Sequence, residues 1–221
     1  MTKTGEAAKP PMEIDTDSLM DAIMLRRREI TVGAIVVAAA AFTVFVWHAG
    51  AIKHEERAER AFSLAGAEYV NGNKPLAQSD LQKLVDGSSG TAAGTQAVML
   101  LAQILYEDGK WADGVRRLED AQKKAPERFA SSIEGLIGAG LADQKKYDEA
   151  AAHYLTAAAK ARFASDQDLY KAEAARILTL AGKREDARKI WTELSTKLDS
   201  PEVAEAKIRL GEIEAAPAGT D

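Results

Sequence analysis

Residues 145–154 read KKYDEAAAHY, and two other stretches share their layout: GKWADGVRRL at 109–118 and GKREDARKIW at 182–191. In each, a turn residue (Gly109, Lys145 or Gly182) is followed by basic and often aromatic residues. A small residue comes five positions after the turn residue: Gly114, Ala150 or Ala187. A large apolar one comes four positions later: Leu118, Tyr154 or Trp191. The spacing between copies is 36 and then 37 residues, the period of stacked helix pairs. A small side chain early in a second helix lets it approach the first closely, and a large one a turn later fills the space between them.

The matching halves lie just upstream. Leu101, Ala102 and Leu105 serve one unit, Ile137, Gly138 and Leu141 the next, and Ala174, Ala175 and Leu178 the third. Residues 58–90 carry a divergent first copy, with Leu64, Ala65, Tyr69, Gly72, Ala77 and Leu81 on the pattern and Pro75 at a first helical turn. Pro126 stops one second helix. Pro201 opens a last helix to about Glu214 that caps the stack, with Val203, Ala204, Ile208 and Leu210 as its apolar face. Beyond Lys53 the chain is rich in Ala, Leu, Glu and Lys, with no β-branched run of period two, so the domain is all-α. Residues 87–94, GSSGTAAG, read as a connecting loop or a hinge. On these residues the chain resembles the tetratricopeptide repeat family, closely over 95–199 and loosely over 58–90. The resemblance implies a helical-hairpin solenoid whose first helices line a groove for peptides or partner helices.

Residues 30–52, ITVGAIVVAAAAFTVFVWHAGAI, hold no Asp, Glu, Lys or Arg over 23 positions. At ~1.5 Å per residue such a helix is ~35 Å long, enough for a hydrocarbon core of ~30 Å, and only a helix satisfies its own backbone there. The chain therefore divides into a cytoplasmic tail (1–29), a transmembrane helix (30–52), a solenoid (53–215) and a short C-terminal tail (216–221). Ala49-Gly50-Ala51 has the form of a signal-peptidase site, but the run is longer than a signal-peptide core and its leader is long. Three arginines, Arg26 to Arg28, precede the run, and Lys53, Arg57 and Arg60 follow it. A long domain translocates largely regardless of its charge, so the compact arginine block places the tail inside and the repeats outside. Trp47 and His48 fall at the outer interface. Gly33, Ala34, Ala38 and Ala41 form a small-residue face for a neighbouring helix. Residues 16–28 read as a short interfacial helix or an extension of the span.

Chemistry is sparse. The chain has no Cys and three His, which excludes thiolate metal sites and Cys nucleophiles. His54 beside Glu55 and Glu56 is a charged collar whose consecutive positions diverge by ~100° on a helix. His153 falls at the edge of a second helix. No phosphate loop, nucleophile elbow or HExxH occurs, and the Asp and Glu are interleaved with Lys and Arg as on solvated faces. No enzyme, cofactor or metal is expected. Of the 29 basic and 34 acidic residues, 24 and 28 follow Ile52, which leaves no basic footprint for nucleic acid.

A protein-binding surface remains. The repeat layout puts Gln96, Met99, Gln103 and Tyr106 on the groove side of one unit and Leu169, Ala172 and Arg176 on that of a later one, with Gly135, Ala139 and Ala142 leaving room for a guest or for tight packing. One span followed by tetratricopeptide-like repeats resembles the bacterial ancillary translocon subunits with a periplasmic repeat domain. That resemblance implies an inner-membrane, chaperone-like accessory subunit that contacts the translocon, extracytoplasmic proteins or peptides, and the lipid bilayer. The Lys9-Pro10-Pro11 tail departs from it. A structural subunit of a large respiratory or photosynthetic membrane complex is the alternative.

Overall fold

The computed structural model describes residues 27–215, and the tails at 1–26 and 216–221 lie outside the described residues together with the helix expected over 16–28, except for Arg27 and Arg28, which open α1. The described chain is helical throughout: α1 Arg27–Val70, α2 Lys74–Gly87, α3 Ala92–Glu107, α4 Trp111–Gln122, a short 3-10 turn Glu127–Phe129, α5 Ala130–Asp143, α6 Tyr147–Lys160, α7 Ala164–Leu180, α8 Arg184–Ser195 and α9 Val203–Ala215. Two compact units result, residues 1–52 and 53–221. In the first, α1 is long and apolar enough to cross a membrane, with a mean hydropathy of 2.1 over its most apolar window. Val32, Ile35, Phe42, Phe45 and Trp47 are all exposed there, as a lipid-facing helix requires.

In the second unit, consecutive helices pack as antiparallel hairpins. The turn inside each hairpin has one recurring form. Gly72, Gly109 and Gly182 have φ of 84°, 73° and 76°, and Lys145 takes the equivalent position at 61°. In each case the next N–H reaches back across the helix end, Lys110 N to Leu105 O at 2.8 Å and Lys146 N to Leu141 O at 3.0 Å being examples. This is the Schellman closure, in which a left-handed residue lets two orphan carbonyls be satisfied. Thr91 starts α3, its hydroxyl accepting from Gly94 N at 2.9 Å. Residues 87–94 are thus an ordered connection, with Ser88 buried.

The periodic residues land in the core. Ala150, Ala187, Leu118 and Trp191 are fully buried, Gly114 and Tyr154 are buried, and the first repeat supplies Ala77 and Leu81 in the same roles. Three positions, Leu64, Ala204 and Ile208, differ from the sequence expectation. Ala65 is buried in α1 while Leu64 is 71% exposed, because the small residue faces α2 and the large one turns outward. In α9 the inward stripe is Val203, Ala206, Leu210 and Ile213, leaving Ala204 and Ile208 exposed. Both stripes are compatible with a helical period, and Ala206 faces inward because a fully buried position there admits only a small side chain.

Helix α5 carries Gly135, Gly138 and Gly140, and three tyrosines from three other helices occupy the space this leaves. A Cβ at Gly140 would collide with the ring and hydroxyl of Tyr106 from α3, one at Gly135 with Tyr170 from α7, and one at Gly138 would crowd Tyr154 from α6 at 3.2 Å. Tyr106 also presses on Gly114 of α4, and its hydroxyl donates to Leu136 O at 3.0 Å. Overpacking a filled site of this kind typically costs about 1–3 kcal/mol. Gly140→Ala should therefore lower the thermal midpoint of the full chain despite the better helix propensity of Ala, whereas Gly211→Ala, which meets nothing within 4 Å, should not. Circular dichroism melts in detergent check both.

Candidate protein-binding groove

The expected groove residues have different fates. Gln96, Met99 and Gln103 share one stripe of α3, Gln96 and Gln103 exposed and Met99 half-buried against the core. Leu169 on α7 is 41% exposed. Ala172 is fully buried and presents nothing to a partner. Tyr106 must be withdrawn from the set, since its ring is wedged between Gly114 and Gly140 and burial pushes its hydroxyl well above the usual tyrosine range. The room that Gly135 and Ala139 seemed to leave is taken up at Gly135 by Tyr170.

Arg176 is corrected too. Its guanidinium bonds Glu205 and Glu202 of the α9 segment and, at 2.6 Å, Glu173 on its own helix. Hydrogen bonding to Glu205 raises its already high pKa further, so it is a permanent cation tying α7 to the capping helix. In the first unit Gly33, Ala38 and Ala41 are exposed, and nothing lies within 4 Å of a Cβ built on Gly33; the side chain of Ala34 lies outside the described residues.

A buried polar centre escaped the sequence reading. Glu134, 4% exposed in α5, accepts from Gln122 Nε2 at 2.6 Å and Lys160 Nζ at 2.6 Å, with His153 Nδ1 at 2.7 Å. Burial alone would raise its pKa, but the hydrogen bonds from Lys160, His153 and Gln122 outweigh it and hold the carboxyl below the ordinary range. His153, read as an edge residue, is thus a partner in an interhelix tie. The available signal was a single charge on a helix face otherwise made of Ile133, Ile137 and Leu141. Two further ties also join separate segments, the first buried and the second exposed. Asp168, 4% exposed, is paired with Lys197, and Glu107 accepts from Tyr69 at 2.5 Å and pairs with Lys74.

Glu107 and Glu134 are held in their charged forms by these partners, and the three ties join α1 to α2 and α3, α4 to α5 and α6, and α7 to the α8–α9 connection. A general acid or base needs the opposite poise, near neutrality. Among the described residues no three His, Asp or Glu are placed to hold a metal.

A family model described as tetratricopeptide repeat-like domain matches residues 27–215. The chain belongs to this family. Among solved structures, the repeats resemble MamA, at 13% identity and a TM-score of 0.55 over 67% of this chain and 81% of that one. They also resemble a putative kinesin light chain from Podosopora anserina with nearly identical tetratricopeptide-like repeats, at 16% identity and a TM-score of 0.59 over 72% and 86%. At such identities the likeness concerns the fold. No curated protein matches the sequence. The tetratricopeptide-like architecture is a protein-interaction scaffold, with other proteins as the partners of its class.

Two outcomes test the ties. Because the Glu134 carboxyl is held below its unfolded value, its contribution is complete above about pH 4.5 and is lost as pH falls through the folded value. The melting temperature of the full chain should fall on acidification below about pH 4.5, and Glu134→Gln should flatten that fall while lowering stability at pH 7. Arg176→Ala should release α9, since hydrogen bonds to a charged group contribute about 1.5–3 kcal/mol. Amide exchange over residues 203–215 should then rise by roughly tenfold or more, with α3 to α6 unchanged.

Proposed function

We propose that the protein is a single-pass, membrane-anchored tetratricopeptide-like interaction subunit that works beside the protein-export translocon of a bacterial inner membrane. In this reading the N-terminus is cytoplasmic, the repeats are periplasmic, and emerging chains are received on the stripe of α3 that holds Gln96, Met99 and Gln103. What supports it is continuity: α1 runs without a break from Arg27 to Val70, and one family model spans 27–215, covering the apolar segment and the repeats together. Gln96 and Gln103 offer uncharged donors and acceptors, and Met99 beside them is adaptable, a surface suited to weak and varied contacts rather than to one charged motif.

A second reading, a structural subunit clamping a large membrane complex, draws on the first unit. Its apolar side chains are uncovered along the whole most apolar window, and its small-residue face at Gly33, Ala34, Ala38 and Ala41 would let a neighbouring helix pack closely.

A photocrosslinking amino acid placed at Gln96 or Gln103 in intact membranes separates the two. Recovery of many secreted chains supports the translocon reading. Recovery of one fixed neighbour at both positions overturns it in favour of the clamp.

A further inference from the structure

Arg-Phe-Ala-Ser occurs twice, at 128–131 and 162–165, 34 residues apart. The copies fall in the α4–α5 and α6–α7 connections, each ahead of the first helix of a hairpin. In each the guanidinium sits over the following ring, 5.0 Å from the Phe129 centroid for Arg128 and 5.9 Å from that of Phe163 for Arg162. Among the described residues neither arginine has an ion pair or a hydrogen bond besides that ring contact. Among the described residues Arg116, Arg176, Arg188 and Arg209 are ion-paired while Arg57, Arg117 and Arg184 are not, and what singles out Arg128 and Arg162 is the repeated motif in which each lies over its own ring.

The two copies are brought together in space. Arg128 and Arg162 line one open cavity of about 370 Å³ with Glu127, Lys160, Asp166 and Tyr170. Phe129 is packed against the core, but Phe163 is 64% exposed. Of the acidic members, Asp166 sits in the first turn of α7 and Glu127 opens the 3-10 turn, where helix ends already favour a negative charge. Lys160 answers Glu134. The two guanidiniums are thus the groups left without a counter-charge of their own.

The same edge is where the chain enters the repeat unit. Glu55 accepts from Ala93 N at the head of α3, the tail of α4 lies beside Gly94 in a second cavity, and Gln122 from that tail bonds Glu134 near the head of α5. The heads of α3 and α5 therefore share one end of the stack, and Tyr170 and Asp166 bring the head of α7 to it.

We propose that this edge is a docking surface for an anionic lipid bilayer, with Arg128 and Arg162 on lipid phosphates and Phe163 entering the headgroup region. Unpaired arginines whose stems and rings are apolar, beside a protruding aromatic, match a surface that is charged outside and apolar beneath. The inference rests on the anchored reading, in which a bilayer is always within reach of the chain.

The test uses the full chain reconstituted in vesicles. Because the protein has no Cys, Ser165→Cys supplies a single site for an environment-sensitive fluorophore, and Lys110→Cys, in a hairpin turn, serves as the reference. Vesicles contain a headgroup-level nitroxide lipid in phosphatidylcholine, with or without about one third phosphatidylglycerol. The expected result is at least a twofold loss of emission at position 165 in the anionic vesicles only, reversed by Arg128→Ala with Arg162→Ala, and no loss at position 110. Equal quenching with and without phosphatidylglycerol, or in the arginine variant, would mean proximity without recognition and overturns the proposal. Unquenched emission overturns it too, and is what an acidic polypeptide partner would give in vesicles holding this chain alone. Reversal by inorganic phosphate at constant ionic strength would assign the site to free phosphate and likewise overturns it. Resistance of the chain to carbonate extraction reports anchoring separately, so failure of the surface and failure of the anchor are distinguishable.

Discussion

The packing of the repeats depends on one helix giving up its side chains. Glycine within a helix costs about 0.5–1 kcal/mol relative to alanine, and α5 bears three of them in six residues, Gly135, Gly138 and Gly140. Tyr106, Tyr154 and Tyr170 offset that cost by lying directly on its backbone, and a buried aromatic contributes far more apolar area than the methyl groups it replaces. Since those rings come from α3, α6 and α7, the same constraint sets the spacing of the helices on either side of α5. It also decides what the groove can offer: the low ground along α5 is filled by the protein itself, and partners meet the α3 stripe and Leu169 instead.

Charge is used in a complementary way. Glu134, Asp168 and Arg176 link segments 12 to 29 residues apart in the chain, each with a partner of opposite charge. Buried charges of this kind contribute more to a unique arrangement than to net stability when judged against apolar replacements, but removing one partner leaves the other uncompensated. The capping helix illustrates the point. Its apolar stripe covers Trp191 and Leu194 at the end of the stack, while Arg176 sets which way it lies. Arg128 and Arg162 take no part in these ties, and each lies over its own phenylalanine ring instead.

Much of the fold was legible. The turn residues, the small and large positions after them and the breakers all follow from local rules, and each of the three copies pointed to the same helical pair. Legibility failed where two helical stripes were equally apolar. Leu64 against Ala65, and Ile208 against Ala206, were decided by the width of the gap facing them, which no single helix contains. The groove was the least legible part. Tyr106 and Arg176 sit at sound positions for a binding face, yet each is engaged by another element: Tyr106 by glycines on α4 and α5, Arg176 by carboxylates of the α9 segment. Glu134 was missed because the partners that hold it, Gln122, His153 and Lys160, lie on other helices and 12 to 26 residues away in the chain.

By itself the amino-acid sequence determined the helical class, the 36- and 37-residue period and the presence of an apolar segment long enough to span a membrane. These are properties of short windows: hydropathy, spacing and the backbone preferences of Gly and Pro. The tertiary structure alone decided which side chains are consumed in holding the stack together and which stay free. That choice depends on distances between helices far apart in the chain, and such distances are set by what each helix finds already packed beside it. Tyr106 and Arg176 read equally well as surface or as mortar until α5 and α9 were in place.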